Sequence, residues 1–125
     1  MYKVRKTFEI AGAHKLELDY NSKCQNLHGH NWIVTIEIAT QTLDNSGMVV
    51  DFVKLKSQII QPIMERFDHR NINEQLPGIN PTVENLAEII HMIVSGKLGD
   101  NLRCTSVEIQ ESRDNVGIYE EEPRW

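Results

Sequence analysis

The chain opens with a period of two. In MYKVRKTFEI, Tyr2, Val4, Lys6, Phe8 and Ile10 share one side, and four of those five are apolar. That alternation predicts a strand lying on a core. NWIVTIEIAT (31–40) alternates more cleanly, with Trp32, Val34, Ile36 and Ile38 on one side and Thr35 and Glu37 on the other. DNSG (44–47) is a turn signal, and MVVDF continues as a short extended segment. The period then lengthens. Asp51 has the chemistry of an N-cap, and Phe52, Leu55, Ile59, Ile63 and Phe67 recur at helical spacing. Pro62 interrupts that run and is expected to kink or shorten the helix. RNINEQLPGINP reads as a loop. Thr82 is the N-cap of a second helix, whose stripe is Val83, Leu86, Ala87, Ile90 and Val94 and which Gly96 or Gly99 should end. CTSVEIQES is a third strand and VGIYEE a weaker fourth.

The order is therefore ββααββ. Helices grouped between two strand pairs predict an α+β fold, a four-stranded antiparallel sheet with two helices on one face. Residues 1–125 form one domain on this reading, with no repeat or linker. The other face of so small a sheet needs cover and its edges need partners. Self-association would provide them.

Composition narrows the class. The chain has 125 residues, 40% of them apolar and 25% charged, with a net charge of −5. This is a globular profile with a modest core. No apolar run approaches membrane-spanning length, and no basic cluster suggests nucleic acid. The N-terminal stretch lacks the features of a secretory signal, so a cytoplasmic location is expected. In a reducing compartment Cys24 and Cys104 are expected to stay unpaired. Cys104, just before a strand, reads as structural. The acidic end, YEEEPRW, reads as a solvated tail.

The chemistry concentrates in NSKCQNLHGHNW (21–32). His28 and His30 flank Gly29, and in extended chain residues two apart point the same way, which suits two ligands of one ion. Gly29 lets the backbone approach closely. His14, just past the first strand in AGAHKL, is the candidate third ligand if the first two strands pair as a hairpin. Three histidines without a fourth protein ligand would make a catalytic zinc (Zn2+) site with one open position. Cys24 has two readings: a fourth ligand closing the site, or a reactive thiol whose pKa neighbouring positive charge lowers.

Asp68 and His69 are adjacent in RFDHRNIN. They read either as a carboxylate steering a proton-carrying histidine or as a helix C-terminus with a favourable charge. Glu111 shares the parity of Val107 and Ile109, so a carboxylate points to the apolar side and needs N–H donors. Glu84 is either a second such acceptor or a helix N-terminal charge. His91 reads as a helix-surface residue.

AGAH, C-x3-HGH, GMVVDF, FDHRNIN, NPTVEN and VEIQES occur in that order along most of the chain. Together they resemble the 6-pyruvoyltetrahydropterin synthase superfamily. The three-residue gap between Cys24 and His28, with the short chain, is most similar to its bacterial 6-carboxytetrahydropterin synthase branch, which serves queuosine synthesis. The resemblance implies the tunnelling fold, with subunits joining sheets into a barrel, usually as a dimer of trimers, and active sites between subunits. It implies His14, His28 and His30 as zinc ligands and Cys24, Asp68 and His69 as the catalytic set, the last two from a neighbouring subunit. Glu111 would anchor the pterin, with Glu84 and Thr82 as a second part of the pocket. Val83 stands where animal enzymes often have threonine, and Arg70 where relatives often have lysine. A pyruvoyl-forming synthase and a non-catalytic zinc- or pterin-binding module are the alternatives. A zinc hydrolase would need a glutamate base beside HGH, and none is obvious.

Overall fold

The computed structural model of the chain describes residues 1–122, so the last three residues of the acidic tail lie outside the described residues. The two alternating segments form long antiparallel strands, β1 (Tyr2–His14) and β2 (His28–Thr40). Their register sets Ile10 opposite Trp32, Gly12 opposite His30 and His14 opposite His28. β4 (Arg103–Ser112) pairs with β2 and β5 (Asn115–Glu120) with β4, both antiparallel.

The α+β class holds, and these four strands are the expected ones. The sheet nevertheless has five, in the order β3-β1-β2-β4-β5. The addition is β3 (Arg70–Asn71), which runs parallel to β1 beside Gly12 and Ala13 and makes the sheet mixed. Gly12 admits it: a Cβ there would lie 3.0 Å from the Arg70 carbonyl oxygen. The segment expected as loop also holds one helical turn, α3 (Ile72–Gln75), capped by the Asn71 side chain.

Asp51 caps the first helix as expected, its carboxylate accepting from the Val53 N–H. Helix α1 (Phe52–Leu55) runs through a wide π turn (Lys56–Ile60) into α2 (Gln61–Phe67). Pro62 explains the wide turn. Its ring would press on the carbonyl four residues back in a regular helix, and here Gln61 bonds instead to the Lys56 carbonyl, five residues back. α4 (Val83–Lys97) starts at the Thr82 cap and runs through Gly96 before ending at Leu98.

The helices cover one face of the sheet. Ile10, Trp32, Val34, Ile36, Ile38, Val107 and Ile109 meet Leu55, Ile63, Phe67, Leu86, Ile90 and Val94 in one apolar cluster. Each such side chain removed from water contributes on the order of 1.5–3 kcal/mol. The opposite face is uncovered and mixed, with Ile33, Val116 and Ile118 exposed among polar residues. There Glu37 accepts from Arg5 Nε at 2.9 Å and Thr105 Oγ1 at 2.7 Å, with Lys3 Nζ 3.3 Å away. Along the outer edge of β1, residues 2–11 have no strand partner among the described residues.

His91 corrects the surface reading. It is buried, its Nε2 donating to the Cys104 carbonyl at 2.7 Å, with Glu121 Oε2 at 3.2 Å and the Tyr119 ring against it. Four residues beyond Ala87 and three before Val94, it lies on the stripe that packs on β4 and β5. Cys104 is buried too, and burial pushes its thiol up to about 12, far from reactivity at neutral pH.

Candidate metal centre

Register assembles the histidines. His28 and His30 lie on one side of β2, and His14, the last residue of β1, sits directly across from His28. The ring centroids are 4.6 Å apart for His14 and His28, 5.2 Å for His14 and His30, and 4.9 Å for His28 and His30. One ring nitrogen from each lies within 4.8 Å of the others.

The outer hydrogen bonds fix the tautomers. His14 Nδ1 is 2.8 Å from the Pro81 carbonyl, and His28 Nδ1 is 2.7 Å from the Asn26 carbonyl. A carbonyl only accepts, so each Nδ1 carries the proton and each neutral ring keeps its lone pair on Nε2. His14 Nε2 is buried with no hydrogen-bond partner among the described residues. Burial, ahead of the opposing Pro81 bond, holds the His14 imidazole below its usual range. A neutral ring, an orphaned lone pair and two more imidazoles within reach are a donor set that fits a divalent ion such as zinc.

Cys24 faces the same space. Its turn (Lys23–Gln25) is tied down by the Ser22 side chain, which accepts from the Cys24 N–H, and by the Leu16 N–H, which donates to the Cys24 carbonyl at 2.8 Å. Thiol, histidines and Glu111 line one cavity of about 570 Å3, with Lys23, Asn26, Ser112 and Asn115 along its wall. Glu111 comes in from β4, and its Oε1 accepts from the indole N–H of Trp32 at 3.3 Å. The same oxygen is 3.5 Å from His14 Nε2 and 3.5 Å from His30 Nε2. The carboxylate on the apolar side thus finds an N–H donor within the chain.

The other candidates lie elsewhere in the protomer. Asp68 ends α2 and accepts the Ala11 N–H at 2.9 Å. That bond is the main reason its carboxyl sits below its usual value, with His69 adding to it. His69 Nδ1 is 3.0 Å from Asp68 Oδ2, its side chain is 82% exposed, and its backbone has φ +58°. Neither lines the cavity. Thr82 is occupied as a cap, accepting from the Asn85 N–H at 3.1 Å, and Glu84 is exposed on the first turn of α4. They reach the centre only through their neighbour Pro81, whose carbonyl orients His14. Trp32 is the site residue hidden from the sequence, where it reads as core. Its position two residues beyond His30, on the same side of β2, was the available signal.

The description "6-pyruvoyl tetrahydropterin synthase" belongs to the family model that matches residues 3–122. A "6-pyruvoyl tetrahydrobiopterin synthase" of Dictyostelium discoideum is 32% identical over 112 residues, 84% of this chain and 82% of its own length. A "6-carboxy-5,6,7,8-tetrahydropterin synthase" of Haemophilus influenzae is 33% identical over 112 residues, 87% of this chain and 77% of its own. The solved 6-pyruvoyl tetrahydropterin synthase of Caenorhabditis elegans superposes with a TM-score of 0.83 at 23% identity, covering 97% of this chain and 96% of that one.

Proposed function

Because the chain belongs to the 6-pyruvoyl tetrahydropterin synthase family, we propose that it is a zinc-dependent 6-carboxytetrahydropterin synthase. On this reading it converts 7,8-dihydroneopterin triphosphate and one water into 6-carboxytetrahydropterin, acetaldehyde and triphosphate, the water supplying the second carboxyl oxygen, in the cytoplasm, for queuosine synthesis. The supporting observation is the convergence of His14, His28 and His30 beside Cys24 and Glu111 in one cavity.

His14, His28 and His30 would hold the ion, with Pro81 and Asn26 fixing the first two rings. When bound, zinc supplies a Lewis acid for the oxygens of the substrate side chain, acidifying the neighbouring C–H. Glu111 accepts hydrogen bonds from the ring N–H and amino groups of the pterin. Cys24, as thiolate, takes the proton. His69, steered by Asp68, returns one. Since Asp68 and His69 do not line this cavity, the reading assigns them to the cavity of a neighbouring subunit in a homohexamer. Thr82 and Glu84, at the start of α4, would complete a pterin pocket in the same way.

Incubation with dihydroneopterin triphosphate and mass analysis of the products tests the proposal. Carboxypterin with acetaldehyde supports it. Pyruvoylpterin moves the chain to the other branch, a reading favoured by the relative of that name at comparable identity. No turnover, with sulfur from Cys24 bound to the ion, would make it a closed binding module.

A further inference from the structure

Trp32 is fully buried, yet it reaches the edge of the metal centre. Its ring stands 5.0 Å from that of His14 and 5.4 Å from that of His30. The seat is specific, since a Cβ on Gly12 would lie 2.9 Å from Trp32 Cζ3. From it the indole N–H reaches Glu111 Oε1. Among the described residues this is the hydrogen bond that Glu111 accepts, and Oε2 accepts none.

A glutamate at a strand end has three rotatable bonds, and ordering it when a ligand binds costs affinity. We propose that Trp32 is a positioning residue for Glu111: the indole N–H ties down one carboxylate oxygen and leaves the other available to an N–H donor in the cavity. The inference rests on the reading of Glu111 as the pterin acceptor. Tryptophan suits the task because its N–H donates without accepting, while its ring fills the apolar layer beneath the histidines.

Trp32→Phe keeps a ring and removes the donor. In the zinc-loaded full chain, KM for dihydroneopterin triphosphate should rise about tenfold, with kcat and zinc content nearly unchanged, the order expected from losing one pre-ordered contact. In a Glu111→Ala background the same change should have no further effect. Equal losses in the two backgrounds, or loss of zinc, would overturn the inference and leave Trp32 a packing residue. A second measurement needs neither a change at position 32 nor a pterin. In a Trp125→Phe background Trp32 is the sole indole, and Glu111→Ala should shift its fluorescence emission. Unchanged emission overturns the contact. A shift in a protein that turns over no pterin counts against the proposed function and not against the contact.

Discussion

His14 and His69 mark two ends of the candidate machinery, and they are opposites. His14 closes a strand of 13 residues, its side chain is 1% exposed, and one nitrogen is held by a carbonyl while the other faces two more imidazoles. His69 sits in left-handed backbone, 82% exposed, held by the carboxylate beside it. The first environment is built within one chain, where strand register brings the imidazoles together and the Pro81 carbonyl orients His14. The second holds a histidine out toward solvent, open to a group from outside the protomer. The contrast separates a centre that folding builds from one that association would finish.

The largest effect should come from breaking the inner end. His28→Ala is expected to abolish metal binding and to cut turnover by on the order of 10³ or more, read by metal analysis and product formation. Full occupancy in that variant would remove His28 from the ligand set. At the outer end, His69→Ala should lower kcat about a hundredfold with little change in melting temperature, because that side chain is 82% exposed. Cys24→Ala should be as inactive while keeping its metal. Mixing the two dead proteins under subunit exchange should restore turnover if the thiol and His69 serve one cavity from different chains. A mixture that stays inactive would place both functions in one protomer.

A smaller effect tests burial without chemistry. His91→Ala removes a buried donor from the Cys104 carbonyl and a partner from Glu121. It should cost about 1–3 kcal/mol in denaturant unfolding and leave kcat alone. The smallest is a pH effect in metal-free protein. Burial keeps native His14 below its usual 6.5, so on acidification the unfolded chain takes up a proton before the folded one does. The stabilisation is present above about 6.5 and lost as pH falls through the lower native value. Unfolding of chelated protein at several pH values reads it, and a stability that rises on acidification would contradict the sign.

Strands and helices were legible because their partners are long and periodic. Trp32, Val34, Ile36 and Ile38 announce one covered face, and the Asp51 and Thr82 caps stand where the helices begin. β3 was not legible, since two residues have no period and their pairing depends on the bare Cα of Gly12, near the far end of another strand. His91 was misjudged by residue type, although its spacing from Ala87 and Val94 already placed it on the inner stripe. In the site, His14, His28 and His30 follow from parity and a hairpin. The orienting carbonyls of Pro81 and Asn26 could not be seen, because any residue type can supply one. Nor could the separation of Asp68 and His69 from the cavity, which is set by where α2 stops against β1.

The outer rim of β1 has a thermodynamic consequence. If a second copy pairs the backbone donors and acceptors along that rim, as the proposed homohexamer requires, folding becomes tied to mass action. Dilution would then act on this protein as a weak denaturant, and the cationic side chains of Lys3, Arg5 and Lys6 beside that rim would disfavour pairing with the wrong chains.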